Sequence, residues 1–154
     1  MPGGVDTNQV KVQDELPPNI DQSSVGMGIN YEWQATNYRY NAIKGNEINL
    51  MVLAGVKTIR ENSEVLDIKD PSFNPASLYD SIKLKSYQAR VKISAAHYFP
   101  LSKASTFKTF LNVGYYNSPN IFLNDLFQIG GYKLLRGFNE QSIYATRYIV
   151  LSAE

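Results

Sequence analysis

Few side chains in these 154 residues could carry out covalent or metal chemistry. There is no cysteine, which removes thiol nucleophiles, disulfides and Cys-based zinc sites. His97 is the only histidine, so a multi-histidine metal site is excluded and a Ser-His-Asp triad is disfavoured. The plainer expectation is an imidazole at a strand end. Asp67, Asp70 and Asp80 share a polar stretch, but they lack the spacing and glycine placement of an EF-hand and read as solvated loop carboxylates. Lys83, Lys85, Arg90 and Lys92 form a local basic cluster, yet a net charge of +1 does not supply the basic surface that nucleic-acid binding requires. Gly26 and Gly28 lack the helix and lysine that follow a phosphate-binding loop, and read as small residues on one side of a strand. No catalytic residue, metal or cofactor is expected, and the chain reads as something other than an enzyme.

One stretch is left over, GGYKLLRGF at 130–138. An arginine between Leu135 and Gly137 is not strand grammar, and it is a poor helix start. Two descriptions fit: a surface turn with a solvated cation, or a loop built to hold that cation somewhere unusual. In the second, the glycines let the backbone bend.

The elements that must position this loop are extended. Eleven tyrosines, seven phenylalanines and one tryptophan favour β structure. In SVGMGINYEWQA the odd positions Val25, Met27, Ile29, Tyr31, Trp33 and Ala35 oppose Gly26, Gly28, Asn30, Glu32 and Gln34, a clear period of two. A turn-rich connection leads to a second strand over 47–59, with Ile48, Leu50, Val52, Ala54 and Val56 on one face and Asn49, Gly55 and Lys57 on the other. Residues 61–83, with Pro71 and Pro75, read as a long polar loop. A third strand spans 84–99, the short turn PLSKAS follows, and a fourth strand runs over 106–116. The long 117–143 segment holds the arginine motif, with one short turn in PNIFLNDLF. A fifth strand starts near Ala145. Residues 1–23 read as a loop or ragged end, and 24–154 as one domain.

Alternation of this kind suits a soluble or surface-exposed β-sandwich binding module, or a transmembrane barrel whose apolar face meets lipid. No apolar run reaches the roughly 18 residues of a membrane-spanning helix, and the mean hydropathy of −0.28 is compatible with either architecture. Three features favour the barrel. The strands are about 11–14 residues long against about 5–6 in typical globular proteins. Short and long connections alternate. Aromatics (Tyr31, Trp33, Tyr38, Tyr40, Tyr98, Phe99) gather beside the short turns, where an interfacial girdle belongs. Glu32, Arg90, Lys92 and Lys108 at mid-strand suit a wet lumen.

FQIGGYKLLRGFNEQ, followed by the strand YIVLSAE, resembles the signature of the outer-membrane assembly barrel superfamily, which includes BamA- and TamA-like proteins, bacterial surface antigens and two-partner secretion transporters. The matching elements are Gly130, Gly131, Leu135, Arg136, Gly137, Phe138 and Glu154. NYRYNAIKGNEINL is similar to a periplasmic turn of such barrels, with Ala42 where proline is usual, and HYFPLSKASTFKTFLNVG sits where the family has an apolar-Pro turn. The resemblance covers about residues 24–154 and implies part of an all-β, antiparallel up-and-down transmembrane barrel in the bacterial outer membrane. It also implies a function without chemistry, the insertion or translocation of proteins. Its partners would be outer-membrane lipid, unfolded outer-membrane or secreted clients and accessory lipoproteins, with no nucleic acid. In the family the motif loop folds back into the lumen, so Arg136 is expected to meet an inner-wall carboxylate, with Glu154 and Glu32 as candidates and Phe138 as an apolar anchor. Five strands do not close a barrel, for which about eight is the practical minimum, so a fragment of a longer protein with poor solubility alone is expected. A further alternative is a translocator barrel fused to an enzyme domain, such as a patatin-like lipase, outside this sequence.

Overall fold

The computed structural model describes residues 10, 12–13, 15–68, 74–102 and 105–154. The chain is all-β and mostly antiparallel. Its strands are β1 (Gln22–Thr36), β2 (Gly45–Ile59), β3 (Lys85–Pro100), β4 (Thr106–Asn117), β5 (Phe127–Ile129), β6 (Ile143–Ala145) and β7 (Arg147–Ala153). Among the described residues there are also single-turn helices α1 (Ser63–Leu66) and α2 (Ser77–Asp80) and a 3-10 turn at Leu123–Asp125. One open sheet has the order β1-β2-β3-β4-β7, and β5 and β6 form a separate pair. The period of two therefore gives the strands it announces, while the long 117–143 connection, read as loop, contains β5 and ends where β6 begins.

Two compact units are present: residues 27–54, 89–117 and 126–154 form one, and 55–88 and 118–125 with the described residues up to Gly26 form the other. In the first, register separates the faces. The pairs Val91↔Tyr115, Ile93↔Val113 and Ala95↔Leu111 continue through Val113↔Ile149 and Leu111↔Leu151 as one apolar surface. Among the described residues no second layer covers it: Ile149 and Leu151 are 76% and 75% exposed, and Val52, Tyr115 and Phe107 are exposed as well. The opposite face carries Arg90↔Tyr116, Lys92↔Gly114, Ser94↔Asn112 and Gly114↔Tyr148. Gly114 is required there, since a Cβ would lie 2.2 Å from Cε1 of the Tyr148 ring. Asn37 closes the β1–β2 connection by accepting hydrogen bonds from the Ile43 and Lys44 N–H groups on its side-chain oxygen, and Asn41 adopts φ 54°, a left-handed conformation asparagine tolerates.

The second unit has its own core of Val10, Ile20, Ile59, Val65, Ile68, Leu78 and Tyr79. The stretch read as a polar loop supplies four of these, Val65, Ile68, Leu78 and Tyr79, from α1, α2 and their flanks. The Tyr79 hydroxyl accepts the Asn62 N–H at 3.0 Å, so its polar end is satisfied. Pro71 and Asp70 lie outside the described residues.

Candidate functional site

The arginine motif is a tight turn on the β5–β6 pair. Gly130, Gly131 and Gly137 take φ values of 128°, 93° and 91°, a region that side-chain-bearing residues rarely enter. At Gly131 a Cβ would also lie 2.1 Å from the Glu140 carboxyl carbon. The Gly131 carbonyl accepts from Leu135 N at 2.9 Å and Leu134 N at 3.3 Å, and Gly131 N donates to Phe138 O at 3.2 Å. The backbone thus loops on itself and leaves the side chains of 132–138 to choose their surroundings.

Leu134 and Leu135 are half-buried against Tyr116, Phe127 and Ile129, together with Ile143 and Tyr148. Tyr116 and Tyr148 occupy the polar-face register of β4 and β7, so the segment after β5 packs on that face. Cations cap the rings: the Arg90 guanidinium lies 4.8 Å from the Tyr116 centroid and 4.9 Å from that of Phe127, and the Lys92 ammonium lies 5.4 Å from Phe127. Phe127 meets Tyr148 edge-on at 5.3 Å, and the Tyr148 hydroxyl donates to the Asn112 amide oxygen at 2.8 Å. Phe138, expected as the apolar anchor, is exposed; Phe127, Leu134 and Leu135 anchor instead, because the turn at Gly137 carries residue 138 outward.

Arg136 donates from Nη2 to Glu154 Oε1 at 2.7 Å and from Nε to the Tyr132 carbonyl at 3.4 Å. The pair is open to solvent, with the arginine side chain 72% exposed. Glu154 is held by the sheet, since its N–H and carbonyl both pair with Lys108 at 2.9 Å. Glu32 does not join Arg136. It borders a different cavity of about 460 Å³ with Arg39 and Glu47.

The other unit holds a charged pair that the sequence reading missed. Lys57 donates to Asp125 Oδ2 at 2.6 Å and to the Asn120 carbonyl at 2.6 Å. Asp125 also accepts from Gln22 Nε2 at 2.9 Å and from the Phe122 N–H at 3.0 Å. Both side chains are buried. Burial works to raise the Asp125 pKa, but the hydrogen bonds from Lys57, Phe122 and Gln22 and the lysine charge outweigh it, and the carboxyl sits below its usual range. Its only sequence signal is a lysine on the polar face of β2.

The remaining candidates are dispersed. His97 pairs with Asn46 Oδ1 and lies edge-on to Phe99, toward the end of β3. Asp67 and Asp80 are exposed, and Asp70 is outside the described residues. Within the basic cluster, Arg90 and Lys92 stack on rings while Lys83 contributes its carbonyl to Asn120. Gly26 and Gly28 lie within β1. Comparison with family models, with curated proteins and with solved structures gave no match, so the functional reading rests on the geometry of this chain.

Proposed function

We propose that this chain is part of an outer-membrane β-barrel that inserts or translocates proteins, with the Leu-Arg-Gly-Phe loop folded onto the wet side of the barrel wall. The observation that carries this reading is an inside-out distribution of cover. The 126–146 segment packs on the polar face through Phe127, Leu134 and Leu135, while the apolar face with Ile149 and Leu151 stays bare. A soluble sheet buries its apolar side first, because that burial drives folding. A sheet that covers its polar side and leaves the other open suits hydrocarbon as the second solvent. The strands fit the same solvent: β1, β2, β3 and β4 have 15, 15, 16 and 12 residues, and a tilted strand crosses a bilayer with about 9–11.

In this reading the barrel performs no bond chemistry. It lowers the cost of bringing client strands into the bilayer, and the motif loop holds the wall in a working conformation, with Arg136 tethering the loop tip to Glu154. Two measurements test it. Extraction from membranes is expected to require detergent, and free solubility as a folded monomer would refute the barrel. In the full-length protein Arg136→Ala is expected to impair assembly or transport while the strands still insert; wild-type activity together with wild-type protease sensitivity would refute the role of the loop.

A further inference from the structure

We propose that the cavity beneath the β5 segment is a binding site for an oxyanion, a carboxylate or phosphate group on a small molecule. The cavity has a volume of about 610 Å³. Its walls come from polar-face positions of β2, β3 and β4, among them Asn49, Arg90, Lys92 and Asn112, and from Phe127 and Gln128 of β5. Two of these side chains are cationic and none is a carboxylate. The Lys92 ammonium forms no ion pair among the described residues and lies over the Phe127 ring. The Asn112 amide oxygen is occupied by the Tyr148 hydroxyl, so that amide presents N–H groups.

The arrangement is more than a pair of surface lysines. The Arg90 guanidinium lies 4.8 Å from the Tyr116 ring centroid and 4.9 Å from that of Phe127, so two aromatic rings hold this positive charge at the cavity wall. Ring walls lower the local dielectric, which strengthens the attraction of an anion to both cations. A concave site with a few convergent donors on partly apolar walls is the usual form of a small-ligand pocket. The volume exceeds that of a lone ion and accommodates a molecule behind the anionic head. Every wall residue belongs to one compact unit, so this inference goes beyond the barrel reading and does not need it.

The test is a calorimetric titration of purified protein, in nonionic detergent, with inorganic phosphate in one arm and glutarate in the other at constant ionic strength. Saturable binding is expected in at least one arm, and the arm that responds identifies the head group. Lys92→Gln should weaken it about tenfold, the typical worth of one charged hydrogen bond. Lys108→Gln, which removes a cation stacked on Tyr98 and Phe110 outside the cavity, should leave it unchanged. Lys92 is exposed, so its variant should fold, as circular dichroism will check. Ser94→Asp, which brings a carboxylate into the cavity, is a second variant and should abolish binding. Absence of saturable binding in both arms, or equal losses in Lys92→Gln and Lys108→Gln, would overturn the proposal. Failure of the detergent requirement strikes only the barrel reading, because the same titration then runs in plain buffer.

Discussion

Lys57–Asp125 and Arg136–Glu154 are ion pairs of nearly equal length, 2.6 and 2.7 Å, and their surroundings give them opposite natures. The first is buried, and its carboxylate accepts from a lysine, a glutamine and a backbone N–H. The second stands in solvent and makes one contact to one carboxylate oxygen. Burial makes a charged pair costly to assemble and costlier to break, because removing one partner strands the other without water. Exposure makes a pair cheap in both senses. The buried pair therefore belongs to the stability of its unit, and the exposed pair can matter only for what the loop does. Distance alone would have ranked them as equals.

The sharpest way to break this contrast is Asp125→Ala. It leaves the Lys57 ammonium buried beside the Asn120 carbonyl and is expected to cost about 3–5 kcal/mol in denaturant unfolding. The double variant Lys57→Met/Asp125→Leu should recover most of that loss, since a packed apolar pair of similar volume is often neutral. No recovery would mean that the hydrogen bonds to Gln22 and Phe122, more than the charge, hold the site. Next in size is Phe127→Ala, which empties the ring cluster in the other unit and should cost about 3 kcal/mol. Limited proteolysis should then cut within 126–146 first; an unchanged cleavage pattern would remove Phe127 as anchor.

Acid probes the buried pair without mutation. The Asp125 pKa is lower in the folded chain than in the unfolded one. Its contribution is present above the unfolded carboxylate value of about 4 and drains away as the pH falls through the lower folded value. Wild type should lose stability across that window more steeply than Asp125→Asn, as thermal melts at stepped pH will show. Parallel curves would mean that the carboxyl titrates alike in both states. The smallest effect belongs to Glu154→Gln, expected to change stability by less than about 1 kcal/mol. A larger loss would show that the exposed pair also supports the fold.

The sheet was legible because period two survives any tertiary context: Val25 to Ala35 and Tyr87 to Phe99 announce strands without reference to partners. The glycines of the motif were legible for a related reason, since positive φ is a local requirement. Long-range pairing was not. Lys57 meets a carboxylate 68 positions away, in a segment with no periodicity to mark it. β5 and β6 are three residues each, too short for alternation to stand out, so Phe127 looked like part of a turn. Val65, Ile68, Leu78 and Tyr79 were diluted by prolines and acids in a stretch whose average is polar, although one-turn helices suffice to bring them together. For Phe138, the resemblance to an inward-folded loop implied an anchor, but Gly137, at φ 91°, turns the backbone just before it and the ring is exposed.

Gly114 shows how much can hang on a missing methyl group. Its vacancy is the berth of the Tyr148 phenol, whose oxygen orients the Asn112 amide and whose ring edge steadies Phe127. Alanine at this position would evict the phenol, and one displaced ring would loosen the amide, the aromatic stack and the docked turn together. A single hydrogen atom in β4 is thus a tolerance on which the alignment of three separate chain segments depends.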